Sequence, residues 1–196
     1  MKRKKPNAMN GKTFETDVLK EIKVAVRRGY IVRGDRTPDG VSYSGFTYCQ
    51  TPSDFVCLML DGRLCYLEAK STKDKSVSVQ PTRSEWEAMV ERNPDRKVTD
   101  YNRAGGLLRR HQLTAMLDAH RAGGVGLLVV HFDGQGVFAM NGVGLDAWER
   151  GDDAGSNLAS ISLAHFRDYG WLLGTASDWQ FEEVCFGYGY KPGGKG

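Results

Sequence analysis

Two short segments hold side chains that could do chemistry together. Pro52-Ser53-Asp54-Phe55 puts an acid at the start of an apolar, strand-like run, and Leu67-Glu68-Ala69-Lys70 puts an acid and an amine at the end of the next. Two carboxylates on neighbouring strands make a hard oxygen site of the kind Mg²⁺ takes, an ion that needs few protein ligands because it keeps several waters. Such an ion activates a water and neutralises charge on a phosphate, the requirement of phosphodiester hydrolysis. Side chains alternate along a strand with period two, so Lys70 shares a face with Glu68 and can stabilise charge developing at phosphorus. The plain alternative is that Asp54 and Lys70 are strand-end charges and Glu68 a rim residue. Glu68, however, follows Leu64-Cys65-Tyr66-Leu67, a run suited to burial, and a buried carboxylate needs a partner or a metal.

The register between the two strands tests the idea. A two-residue Asp61-Gly62 turn would set Asp54 opposite Ala69 and send Glu68 to the other face. A three-residue Leu60-Asp61-Gly62 loop, with Gly62 left-handed, sets Asp54 opposite Glu68. The metal-site reading therefore requires the three-residue loop or a compensating bulge. Glu15 borders the buried stripe of the first helix and is either an accessory acid or a helix-start acid favoured by the macrodipole. Gln112 falls four residues from both Leu108 and Met116, on the apolar side of its helix, where an amide wants a hydrogen-bond partner or a cation. His111 beside it reads as a helix-surface residue, and His120, His131 and His165 lack ligand spacing.

Elements must position these groups. Phe14, Val18, Ile22 and Ala25 or Val26 recur at helical spacing between Gly11 and Arg28, with Leu19 beside them, and Arg27-Arg28-Gly29 closes the helix. Tyr30 to Val32 reads as a short strand, residues 34–46 as a loop or projecting hairpin, and Phe55 to Leu60 and Leu64 to Lys70 as paired strands. Within the polar segment 74–104, a Thr82-x-x-Glu85 capping box starts a helix with Trp86, Met89 and Val90 as its apolar side. A second helix is expected from Leu107 to Arg121, then strands Val125 to Phe132 and Val137 to Met140, with short helices near 143–150 and 162–169. This order predicts an α/β fold, a mixed β-sheet flanked by helices. Residues 1–10 read as a basic tail, 11–186 as the folded domain and 187–196 as a flexible Gly-rich tail.

Composition bounds the rest. The chain has 196 residues, 40 % hydrophobic and 26 % charged, which excludes wholesale disorder and a small disulfide scaffold. No apolar run approaches a membrane span and no secretory signal stands at the N-terminus, so no membrane partner is expected and the chain reads as intracellular. Cys49, Cys57, Cys65 and Cys185 form no CxxC pair, and Cys57 and Cys65 read as small buried hydrophobes in a reducing compartment. The net charge of +3 hides an asymmetry: residues 1–110 hold 22 Lys and Arg against 14 Asp and Glu, and residues 111–196 hold 5 against 10. A basic half suits a polyanion, so nucleic acid is the expected partner. Lys2, Arg3, Lys4, Lys5, Lys73, Arg109, Arg110 and His111 are the candidate DNA contacts.

At Gly11-Lys-Thr-Phe-Glu15, Pro52-Ser-Asp-Phe55, Leu67-Glu-Ala-Lys-Ser-Thr-Lys73, His111-Gln-Leu113 and Gly123-Gly124, the sequence resembles the RecU-type Holliday junction resolvases of the PD-(D/E)XK nuclease superfamily. The resemblance spans roughly Gly11 to Phe132. It implies a restriction-endonuclease-like fold and a homodimer that cleaves four-way DNA junctions symmetrically, serving recombination and repair in the cytoplasm of a bacterial or phage-infected cell. It implies Mg²⁺, with Mn²⁺ as a substitute, held by Asp54, Glu68 and Gln112. Lys70 would be the catalytic lysine, Glu15 an accessory catalytic acid, and residues 34–46 a stalk. Two departures mark a divergent member: Pro52-Ser53 replaces the threonines the family tends to have, and the segment from Lys70 to Gln112 is longer. The alternatives are a PD-(D/E)XK nuclease acting on flaps, ends or duplex, and a non-catalytic DNA-binding module.

Overall fold

The computed structural model describes residues 11–37, 42, 43, 46, 47, 51–93, 95, 97–103, 105–151 and 159–174. Helix α1 (Gly11–Arg27) buries Phe14, Val18, Ile22 and Ala25, the stripe its spacing predicts. Strand β1 (Ile31–Arg36) follows, then a two-residue ladder of β2 (Ser42–Tyr43) and β3 (Phe46–Thr47). Residues 34–36 thus belong to the sheet, and the expected stalk is shorter at its start. Residues 38–41, 44 and 45 of that stretch, like both expected tails, lie outside the described residues.

Strands β4 (Phe55–Met59) and β5 (Leu64–Thr72) form the antiparallel hairpin next to the candidate carboxylates. Beyond it come β6 (Ser76–Ser78), α2 (Arg83–Arg92), a 3₁₀ turn at Val98–Arg103, and α3 (Arg110–Arg121). The chain then runs through β7 (Val125–Phe132), β8 (Gly136–Asn141), α4 (Gly142–Arg150), β9 (Ser160–Ser162), α5 (Leu163–Tyr169) and β10 (Trp171–Gly174). Six strands make one mixed sheet in the order β1-β4-β5-β7-β8-β10, parallel only between β5 and β7. A parallel neighbour needs a crossover, and the segment ending in α3 supplies it.

The expected α/β architecture is present: a mixed sheet with helices on both faces. Phe14, Val18 and Ile22 of α1 pack on one face, against Phe55, Cys57, Leu67 and Val129. On the other face Leu113, Met116 and Leu117 of α3 join Leu128, Val130, Phe132, Trp148 and Phe166. Coverage on both sides explains why Leu67, Glu68 and Ala69 are all buried although strand side chains alternate.

Several boundaries differ from the sequence reading for local reasons. Strand β5 runs to Thr72 because β7 pairs with it along its length. Helix α3 starts at Arg110, not Leu107, because Leu108 bridges Val79 and exchanges backbone bonds with Ser78 and Gln80. The segment 74–104 is not purely helical, since β6 pairs with β9. The Thr82–Glu85 capping box forms, but only Trp86 of α2 is buried and Met89 is 39 % exposed. No described helix is long and apolar enough to cross a membrane.

One glycine sets how closely α3 approaches the sheet. A Cβ on Gly126 would lie 2.1 Å from the Met116 carbonyl oxygen, a backbone atom with no flexible end to yield. Gly126→Ala should therefore cost about 1–3 kcal/mol in urea unfolding, as overpacked sites do. Gly105→Ala, where a Cβ meets nothing within 4 Å, should unfold close to wild type.

Candidate active site

The hairpin loop is Leu60-Asp61-Gly62. The Gly62 N–H donates to the Met59 carbonyl at 3.0 Å and the Met59 N–H to the Arg63 carbonyl at 2.8 Å. Gly62 sits at φ 86°, the left-handed position of a three-residue loop. Pairing then runs Leu58 with Leu64, Cys57 with Cys65, Val56 with Tyr66 and Phe55 with Leu67. Continued by one step, it sets Asp54 opposite Glu68, the register the metal-site reading requires.

The backbone ladder ends at Phe55 and Leu67, and the two acids take over from it. The Asp54 N–H donates to Glu68 Oε2 at 3.0 Å, and the Ala69 N–H donates to Asp54 Oδ2 at 3.0 Å. Ser53, wholly buried, anchors the approach by donating its hydroxyl to the Phe55 carbonyl at 2.8 Å.

Glu68 has no exposed surface. Its Oε1 accepts a hydrogen bond from Gln112 Nε2 at 2.6 Å and forms an ion pair with the Lys70 ammonium. Burial pushes the Glu68 carboxyl up to about 8; the Lys70 charge opposes that shift, and the neighbouring Asp54 carboxylate adds to it. Gln112 reaches Glu68 from α3 and is itself held, its Oε1 accepting the Arg109 N–H at 3.0 Å. The amide oxygen therefore caps α3 while the amide nitrogen positions the acid. The expectation that Gln112 supplies an oxygen to a cation meets an amide already engaged at both ends.

The other expected residues are placed in different ways. His111 stands beside the site: burial lowers its pKa, the charges of Arg109 and Lys70 lower it further, and a hydrogen bond to the Thr51 backbone opposes them. Glu15 comes from α1 and pairs with Arg36 of β1 at 2.7 Å, and Arg36 is registered opposite Phe55, the neighbour of Asp54. Arg110 is turned inward, with its Nε donating to the Gln80 carbonyl at 3.2 Å and its guanidinium 3.6 Å from Glu85, which ties α2 to α3. Arg109 and Lys73 are exposed. Lys2, Arg3, Lys4 and Lys5 lie outside the described residues.

Gln80, which sequence reasoning passed over, is buried and joins three elements. It accepts from the Arg110 N–H and donates to the Tyr101 carbonyl, each at 3.3 Å. The alternation Ser76-Val77-Ser78-Val79 leading into it was the available signal of a strand. Cys57 and Cys65 are buried, as expected, and burial pushes the Cys57 thiol up to about 12.

Among the described residues no group of three or more His, Cys, Asp and Glu side chains forms a metal cage. The donor set still fits a hard divalent cation. Two carboxylates in hydrogen-bond reach of each other, one wholly buried, favour joint ionisation only when positive charge is beside them. Mg²⁺ accepts so small a protein ligand set because water completes its coordination.

No protein-family model matches the chain, and no curated protein matches it. Among solved structures it is similar to Hjc, a Holliday junction resolvase from the archaeal hyperthermophile Archaeoglobus fulgidus. That match has a TM-score of 0.45 and 15 % sequence identity, and it covers 89 % of this chain and 99 % of that one.

The raised Glu68 pKa gives stability a defined pH dependence. Between the unperturbed 4.5 and about 8 the folded chain holds a proton that the unfolded chain has lost. The associated stability is whole below the lower value and is lost as pH rises through the upper one. Melting in EDTA should show Tm falling across that window, with a shallower fall in Glu68→Gln. A divalent cation should restore stability at the alkaline end, since it favours the ionised carboxylates.

Proposed function

We propose that the protein is a divalent-cation-dependent, structure-specific DNA endonuclease that resolves four-way junctions by phosphodiester hydrolysis as a homodimer. One observation carries this reading: the three-residue loop puts Asp54 opposite Glu68, with Lys70 paired to Glu68 on the same sheet face. The basic first half of the chain supports DNA as the substrate.

Asp54 and Glu68 would hold Mg²⁺, or Mn²⁺ in its place. Bound there, the cation supplies Lewis acidity toward the phosphate and a water acidified toward neutral pH. Lys70, 15 % exposed and fixed by Glu68, presents its ammonium to the phosphate oxygens, where negative charge grows as the bond to the attacking water forms. Gln112 acts one step back, fixing the Glu68 carboxylate so that both acids meet the substrate in one geometry. Arg109, Lys73, His111 and the run Lys2 to Lys5 are assigned to phosphate contacts, and Arg110 to holding α2 against α3. Two sites related by a two-fold axis would match the two equivalent strands of a junction.

The test is cleavage of a labelled four-way junction and of linear duplex, in Mg²⁺ or EDTA, by wild type and Asp54→Asn. Paired symmetric nicks in the junction alone, lost in EDTA and in the variant, are expected. Cutting of both substrates would leave a nuclease without junction specificity, and tight binding without cutting would leave a DNA-binding module. Gln112→Ala should lower cleavage by about 10- to 100-fold, the usual effect of losing a group that orients a ligand. Replacing Arg109 and Lys73 by Ala should flatten the log–log salt dependence of binding by about one unit each. Arg110→Ala should leave that slope unchanged and reduce stability.

A further inference from the structure

A cleft of about 670 Å³ opens beside the carboxylates, between the loop ahead of β4, the first turns of α3 and the segment after α2. Pro52, Tyr101, Arg109, His111, Thr114 and Asp118 line it. It adjoins the site at two points: Pro52 stands two residues before Asp54, and His111 feels the Lys70 charge and precedes the Gln112 that holds Glu68. Its chemistry changes along its length. Arg109 and His111 mark the end near Lys70, while Thr114 and Asp118 continue along the same face of α3, one turn apart. A carboxylate at the far end repels a phosphate but accepts from the exocyclic amine of cytosine or adenine. A pocket of this size suits a ligand of nucleotide dimensions.

We propose that this cleft receives one unstacked nucleobase of the strand being cut, next to the scissile phosphate. The inference rests on the nuclease reading only for where it places that phosphate. A nucleotide drawn out of its stack costs least where pairing is already strained, as at a branch point. Tyr101 belongs to the segment that lengthens the chain between Lys70 and Gln112, so part of that segment would serve as a wall of the pocket.

The experiment uses the full chain in EDTA with four-way junctions carrying 2-aminopurine singly at each position around the branch point, and cleavage mapped separately in Mg²⁺. Emission should rise on binding at one position adjoining the mapped cut. Thr114→Leu with Ala115→Leu, which fills the cleft from the outer face of α3 with side chains that cannot stack, should abolish the rise and slow cleavage about tenfold, within the range one base contact is worth. On a junction abasic at that position, the filled variant and wild type should cut at equal rates. Saturating binding with no rise anywhere, or a rise that survives in a filled variant of unchanged Tm, overturns the proposal. The two readings fail separately: a rise that the filled variant abolishes, without any cutting, removes the nuclease and keeps the cleft, while cutting without a rise does the reverse.

Discussion

The site depends on a buried carboxylate that has to be compensated. Glu68 is wholly buried, and its partners come from three places: the Asp54 backbone ahead of β4, Lys70 on its own strand, and Gln112 on α3. Leaving an ionised carboxylate uncompensated in the interior would be costly enough to displace the structure around it. Each partner is therefore tied to the others through one side chain. The bonds from the Asp54 N–H to Glu68 and from the Ala69 N–H to Asp54 replace the next rung of the β4–β5 ladder, so the acids also close the hairpin where its backbone pairing stops.

Much of this was legible in the sequence because it obeys local rules. Gly62 marks the loop type, loop type sets the register, and register decides which carboxylates meet. The stripe of α1, the Thr82–Glu85 box and the strand Val125–Phe132 were likewise written in periodicity and capping chemistry. What escaped was tertiary. Leu107 and Leu108 look like a helical start, yet bridging to Val79 keeps them extended. Arg109-Arg110 reads as one basic patch, but a backbone carbonyl and Glu85 turn Arg110 inward. Glu15 borders the right stripe, but its ion pair with Arg36 joins α1 to β1 across 21 positions, which no pattern within the helix encodes. The β6–β9 pairing joins segments more than eighty residues apart, beyond the reach of any pattern in either.

The segment between β5 and α3 buries Val77, Val79 and Leu108 in the core and reaches the site through polar contacts. Gln80 joins Tyr101 to the Arg110 backbone, Tyr101 donates its hydroxyl to the Pro81 carbonyl, and Arg110 reaches back to the Gln80 carbonyl and Glu85. These bonds converge on the first turn of α3, where Gln112 grips Glu68. A shift of that segment is thus transmitted to the acid through the end of a helix whose middle is pinned against Gly126.

The Leu60-Asp61-Gly62 loop has a consequence for how such a site can be inherited. Leu60, Asp61 and Gly62 are all exposed, so their side chains have little to lose by substitution beyond the backbone demand at Gly62. Their number is another matter. Losing or gaining a single codon there would slip β4 against β5 by one residue and set Phe55, Cys57 and Met59, along with Asp54, against the wrong face. Three exposed residues therefore carry, by their number alone, both the packing of β4 and the meeting of the two acids.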